Sequence, residues 1–225
     1  MLRLRTEVSA LGLATLTVGW AGTAHAVLID VTQPGDEIEL VNGVNDDDGN
    51  AGAPPGGEGV EHAIDNVGQK YLNFLDLGSG FIVTPTLGAD TGGTIVTSLR
   101  LFTANDAEEM DPASFVLEGA ASAGGPFTLI AEGDLNLPSG RNNGGATPLA
   151  DLTNSFTVAF SNTTAYLRYR LTFPTIKNAP GANSMQIGEV EFLAEFDSTA
   201  VPAPAAGLLG LGFVGALVMR RRRSA

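Results

Sequence analysis

Carboxylates are the abundant reactive groups of this chain: 25 Asp and Glu stand beside two His and no Cys. Thiol chemistry is therefore excluded, and His62 is the one imidazole beyond the first 26 residues. A pair of carboxylates can act as acid and base, or as acid and nucleophile, on a glycosidic bond. That keeps a carboxylate-based glycoside hydrolase as an alternative, although nothing in the spacing selects a pair. There is no G-x-S-x-G elbow, H-E-x-x-H helix, Walker A loop or dinucleotide fingerprint. Asp46-Asp47-Asp48-Gly49-Asn50 invites an EF-hand reading that fails. Counted from Asp46, Ala51 stands where the loop needs glycine and Gly57 where it needs the bidentate glutamate. No catalytic residue is assigned, and the expectation is a protein that is not an enzyme.

Binding chemistry is the other possibility. Sugar sites commonly stack an aromatic ring against a pyranose and add polar groups that fix its orientation. Beyond Trp20 in the N-terminal segment, the large polar aromatics are Tyr71, Tyr166 and Tyr169. Tyr166 stands two residues before Arg168, so alternation puts both on one face with Arg170. The pair Tyr166 and Arg168 is the ligand-binding candidate for an anionic polysaccharide. The competing reading is an ion-pair face. A concave site with Tyr71 or Tyr166 exposed would favour a carbohydrate-binding module. The alternative, a structural matrix protein with no small ligand, predicts calcium-dependent stability but no glycan selectivity.

The elements that must position these groups read as strands. In Tyr166 to Phe173, YLRYRLTF, Leu167, Tyr169, Leu171 and Phe173 share one face. Ile187 to Phe196, Ser114 to Gly119, Phe127 to Gly133, Thr94 to Ala104 and Ser79 to Pro85 are further apolar or alternating runs. Gly124-Gly125-Pro126 and Asn142-Asn143-Gly144-Gly145 separate them as turns. Many short strands with such punctuation predict an all-β antiparallel sandwich or jelly roll. Residues 42–59 are a loop rich in Gly and Asp. Without cysteine, no disulfide supports the core, but about 170 residues can bury one unaided.

The two ends read as addresses. Arg3 and Arg5, an apolar run from Val8 to Trp20 and Ala24-His25-Ala26 have the layout of a signal peptide over residues 1–26, cut by signal peptidase after Ala26. Residues 27–200 then hold six basic against 24 acidic side chains, a formal charge of −18. Such a body repels nucleic acid and anionic lipid. At the other end stand Val201-Pro202-Ala203-Pro204, the apolar run 205–219 and Arg220-Arg221-Arg222-Arg223. The apolar run is short for a membrane span, which takes about 20 residues, and the arginines would stay cytoplasmic. This three-part tail, 201–225, resembles a PEP-CTERM sorting domain, with Ala203 in place of the usual glutamate. The resemblance implies an exosortase-type processing enzyme as partner and transient anchoring by a C-terminal transmembrane helix in the inner membrane of a Gram-negative bacterium. It further implies a fate in the cell envelope or the extracellular, exopolysaccharide-containing matrix.

The body, 27–200, also resembles a known family. "AIDN" at Ala63 to Asn66 with Lys70-Tyr71, "DPASFVLEGA" at Asp111 to Ala120, and "GEVEF" at Gly188 to Phe192 are similar, in order and spacing, to a galactose-binding-like, discoidin-type β-sandwich. Ala120-Ala121-Ser122-Ala123-Gly124 occupies the place of that family's S-N-D-G turn. The resemblance implies a structural calcium ion between the opening loop and the last strand, with Asp65 and Glu189 as ligands beside loop carbonyls. Without it, Asp65 reads as the cap of a turn. Glu189 reads as a solvated face residue, or as a partner of Arg168 or Arg170.

Overall fold

The computed structural model describes residues 26–41, 57–74, 78–149 and 152–197. Most of the signal segment with Ala24, the Asp46-Asp47-Asp48 run, and the tail with Val201, Pro202, Ala203, Pro204 and the arginines 220–223 lie outside the described residues. Ala26 opens the first strand.

Among the described residues, eleven strands form two main antiparallel sheets and a short third one. The first sheet has the order β1 (Ala26–Asp30), β11 (Glu189–Asp197), β5 (Val96–Phe102), β8 (Ser155–Ala159). The second has the order β2 (Glu37–Val41), β4 (Ser79–Thr84), β9 (Arg168–Phe173), β6 (Ser114–Ala120), β7 (Thr128–Asp134). The two-residue-period alternation explains why they stack. Tyr169, Leu171 and Phe173 of β9 are buried while Arg168, Arg170 and Thr172 are not. Phe115 and Leu117 of β6 and Phe81 and Val83 of β4 join them. From the facing sheet come Leu99 and Leu101 of β5 and Val190 and Phe192 of β11. Ring contacts tie the two layers: Phe192 lies edge-to-face 6.2 Å from Phe81 and tilted 5.6 Å from Tyr169, ring centre to ring centre. Among the described residues there is no α-helix, so no helix is long and apolar enough to cross a membrane.

The expected outward stripe is broken at one place. Tyr166 is turned inward, 9 % exposed, with its ring 6.1 Å from that of Tyr169. The chain changes sheets here. Tyr166 exchanges both backbone hydrogen bonds with Thr94, which leads into β5, whereas the Leu167 N–H donates to Ala120 at the end of β6. Alternation holds only while one sheet supplies the partners, so the phase is lost between these residues. Gly119 makes room for the ring, since a Cβ there would run into Tyr166.

The third sheet pairs β3 (Tyr71–Asn73) with β10 (Met185–Ile187). It joins the segment that opens the body to the segment before the last strand. Thereby it brings the loop 57–70 beside β11, where the candidate site forms.

Candidate functional site

Three connections converge at one end of the sandwich. They are the opening loop 57–70, the link 103–113 between β5 and β6, and the stretch 138–149 after β7. The Gly68 N–H donates to the Thr147 carbonyl at 2.9 Å, and the Leu149 N–H to that of Asn66 at 3.2 Å. Asn142 reaches the second link through its backbone N–H to Ala104 and its side-chain amide to the Thr103 carbonyl at 2.7 Å. Gly68 is required by this close approach, because a Cβ would collide with the Asn143 carbonyl oxygen.

A buried charge cluster locks the same loops. Asp111 is fully buried and accepts two parallel hydrogen bonds from the Arg141 guanidinium at 2.8 and 2.7 Å, with the Lys177 ammonium at 3.1 Å. Arg141 further donates to the carbonyls of Asp106 and Pro138. Thus one carboxylate fixes the position of both the second and third loops.

Between them opens a cleft of about 180 Å³ lined by Gly57, Glu58, Gly68, Gln69, Lys70, Asn105, Gly144 and Gly145. That is below the roughly 300–1,000 Å³ of sites for drug-sized ligands, and suits a unit the size of one monosaccharide. Its lining among the described residues is polar and lacks an aromatic ring. The Lys70 ammonium is held by Asp106 Oδ1 at 2.8 Å, Gln186 Oε1 at 2.9 Å and Glu58 Oε1 at 3.6 Å. Gln186 in turn donates to the carbonyls of Asp106 and Ala107.

Beside this cleft the structure brings Asp65 and Glu189 to the same backbone segment, although 124 positions separate them in the chain. Glu189 is 1 % exposed, and its Oε2 accepts the Asn66 N–H at 2.8 Å. Its Oε1 is buried with no hydrogen-bond partner. Burial pushes the Glu189 carboxyl well above the usual carboxylate range. The negative charges of Asp65, Asp30 and Glu191 push the same way, against the pull of the Asn66 N–H. Asp65 caps the turn: its Oδ1 accepts the Val67 N–H at 3.0 Å while Oδ2 meets His62 Nδ1 at 2.5 Å. Asn66 between them has φ 63°, the left-handed region that Asn tolerates. The solvated-face reading of Glu189 is thereby corrected. Its neighbour in register is Phe102 of β5, and the ion pair across these strands belongs to Arg100 and Glu191 at 2.6 Å.

A second, partly buried carboxyl lies close by in the fold. Asp30 Oδ1 accepts from the Thr32 N–H, the Thr32 hydroxyl and the Phe192 N–H, and Oδ2 has no partner. Burial raises this carboxyl to about 6, and Glu191 adds to the rise. Among the described residues no three His, Asp or Glu side chains are grouped so as to hold a metal ion by themselves. A cation at the opening loop would need backbone carbonyls as well, and hard cations such as calcium accept these readily. The orphaned Glu189 oxygen, with the carboxylates of Asp65, Asp30 and Glu191 around it, fits such an ion.

The tyrosine and arginine expected to meet a ligand do other work. Tyr71 is fully buried, accepts from the Asn73 amide at 2.7 Å and donates to the Gly80 carbonyl. Tyr166 is in the core, so neither tyrosine offers the exposed ring that a stacking site needs. Arg168 donates to Glu39 at 2.8 Å, to the Ala123 carbonyl at 2.6 Å and to the Thr84 hydroxyl. Arg170 pairs with Glu118 at 2.6 Å and lies over the Phe127 ring at 4.4 Å. All six Lys and Arg of the described residues are in ion pairs: Lys70, Arg100, Arg141, Arg168, Arg170 and Lys177. The competing reading of the stripe, an ion-pair face, is the observed one. The cleft has no signature in the sequence, since Lys70, Asn105 and Gly144 meet only through the tertiary fold. The sole local signal was the cluster Asn142-Asn143-Gly144-Gly145, which reads as a turn.

No family model matches the sequence, and no curated protein matches it. Solved structures do resemble the fold. A structure of the CBM32-1 and CBM32-2 domains of Clostridium perfringens ZmpB shares 12% identity at a TM-score of 0.50, over 78% of this chain and 43% of that one. The family 32 carbohydrate-binding module of C. perfringens NanJ, solved in complex with galactose, shares 14% identity at 0.49 over 74% and 99%. That of Streptococcus pneumoniae EndoD shares 13% at 0.47 over 76% and 100%. At these identities the likeness is one of architecture: the described residues form an all-β antiparallel sandwich of the kind found in family 32 carbohydrate-binding modules.

Proposed function

We propose that this chain is an exported, non-catalytic carbohydrate-binding protein of the cell envelope or extracellular matrix. Its loop-end cleft receives one sugar unit of an exopolysaccharide. The observation that carries this reading is the convergence of Glu58, Gln69, Lys70 and Asn105 on a cleft of about 180 Å³ whose walls are cross-bonded loops. Polar groups held on a rigid support can fix sugar hydroxyls at low entropic cost. The fold shared with carbohydrate-binding modules supports it. The N-terminal segment and the tail 201–225 supply the route, through signal peptidase, transient anchoring in the inner membrane and an exosortase-type enzyme.

Calcium completes the reading. Asp65 and Glu189 would hold the ion with carbonyls of the opening loop, and its charge would offset the carboxylates gathered there. The ion supplies electrostatic stabilisation and no chemistry on the sugar. It would fix the loop from which Gln69 and Lys70 reach the cleft.

The burial of Tyr71, Tyr166 and Tyr169 favours one second reading, a structural matrix protein with no small ligand. Co-sedimentation of the purified protein with the exopolysaccharide of its own producing cell decides between the two. Saturable binding that weakens in chelator, and is insensitive to chelator in Glu189→Gln, is the expected result. Absence of binding with and without calcium would leave the matrix role.

A further inference from the structure

The stretch that walls the cleft holds two adjacent asparagines in opposite states. Asn142 is 9 % exposed and tied twice: its backbone N–H donates to Ala104 at 3.2 Å and its side-chain amide to the Thr103 carbonyl at 2.7 Å. Asn143 is exposed, and its side-chain amide makes no hydrogen bond among the described residues. Gly144 follows it and lines the cleft, and its backbone N–H has no partner among those residues either. The chain is held again at Gly145, whose carbonyl accepts the Thr147 N–H. The link 143–144 is thus an untied step in a wall that is cross-bonded on both sides of it. Asn143-Gly144 is the one Asn-Gly pair of the described residues, since Asn42-Gly43 lies outside them.

An asparagine in such a step can react with its own backbone. The Gly144 nitrogen attacks Cγ of Asn143. The N–Cγ bond forms, the Cγ–Nδ2 bond breaks, and ammonia leaves with the Gly144 amide proton. A Cβ on the following residue would hinder this closure, and glycine has none. Water then opens the five-membered imide. Breaking the new N–Cγ bond leaves aspartate. Breaking the original backbone bond leaves isoaspartate, whose chain runs through Cγ and is one methylene longer.

We infer that Asn143 is a site of spontaneous deamidation and that its isoaspartate product remodels the wall of the cleft. The Asn143 carbonyl lies so close to Gly68 that a Cβ there would collide with it. In isoaspartate that carbonyl becomes a pendant carboxylate, and the extra methylene has no room beside Gly68. The bonds that must give are Gly68 N–H to Thr147 and Leu149 N–H to Asn66, which hold this wall to the opening loop. The change is one-way and is set by the age of the molecule.

The test ages the folded full chain in mildly alkaline buffer. Peptide mass spectrometry that separates aspartate from isoaspartate follows each asparagine. Asn143 should convert at a rate close to its rate in concentrated urea, while Asn142 stays intact. Gly144→Ala should slow the conversion severalfold, and it leaves the fold intact because its Cβ would meet only the Asn105 side chain. An Asn143 that survives in the folded chain but converts in urea would overturn the assignment, because the fold would then hold the amide away from Gly144. Hydrogen exchange reads the remodelling. The Gly68 and Leu149 amides should lose protection in the isoaspartate fraction. They should keep it in Asn143→Asp, which adds the charge without lengthening the chain. Unchanged protection in both would overturn the remodelling, and equal loss in both would overturn chain length as its cause. Neither readout uses a sugar, so this inference and the carbohydrate reading stand or fall separately.

Discussion

The outer face of the five-stranded sheet and the loop end of the sandwich use the same charged residue types in opposite ways. On the sheet, Arg170 meets Glu118 on the neighbouring strand and Arg168 reaches across β4 to Glu39 of β2, with each partner at least partly open to water. The β-sheet register sets Glu118 directly opposite Arg170, so the pairing follows from strand order alone. At the loop end, Asp111 and Glu189 are buried, one with two cations and one with none. Charges that compensate one another in water can be exchanged at little cost. Buried charges cannot, and where the cation is missing the fold itself calls for a ligand or a proton. The contrast explains why the arginine stripe, conspicuous in the sequence, is an ion-pair face, and why the proposed site is built from residues that carry no local pattern.

The sharpest way to break this comparison is Asp111→Ala. The change would leave Arg141 and Lys177 without their shared partner and detach the wall of the cleft. Removing one member of a buried pair costs about 3–5 kcal/mol. The urea midpoint of unfolding should fall accordingly, and sugar binding should be lost with it. A cost below about 1 kcal/mol would mean that water already reaches the cluster, and the two regions would no longer differ.

Asp30 tests the uncompensated side through pH. Its folded carboxyl titrates at about 6 against an ordinary 3.8, so the folded state holds the proton more tightly than the unfolded one. Its contribution to stability is therefore fully present below about pH 4 and is lost as pH rises to about 6, a change on the order of 2–3 kcal/mol. Glu189 carries the same sign. The difference in unfolding free energy between the protein and Asp30→Asn, followed from pH 4 to 7, isolates Asp30. In that window the variant should gain on the parent as pH rises. A flat difference would show that solvent reaches the carboxyl.

The same contrast marks what could be read from sequence. β9 was legible from Arg168 onward because one sheet supplies both of its partners there. Tyr166, two residues earlier, was misplaced because the chain is already bonded to Thr94 on the other sheet, and no local pattern announces a change of partner. β3 and β10 have three residues each, too few to show a period. β2 does alternate, Glu37 and Glu39 against Ile38 and Leu40, but it is isolated ahead of the long loop. For the site, Asp65 and Glu189 could be paired only through a family resemblance. Their meeting depends on the β3–β10 pairing, as does the contact of Lys70 with Gln186. Glycine and asparagine at 142–145 signalled a turn, and only the fold shows that the turn forms a wall of the cleft.

The smallest effect is expected where the sequence was most conspicuous. A double-mutant cycle on Arg170→Ala and Glu118→Ala should give a coupling of about 0.2–1 kcal/mol, the range for pairs that water reaches. The Phe127 ring under the guanidinium adds roughly 0.5–1 kcal/mol to the single Arg170→Ala cost but cancels from the cycle. Raising salt should shrink the coupling, because the pair is partly exposed. Sugar binding should be unchanged in both single variants and in the double one, since neither residue lines the cleft. A coupling well above 1 kcal/mol that resists salt would mean that this face is dry in the working protein. Something would then cover the five-stranded sheet, and the passive half of the comparison would become an interface.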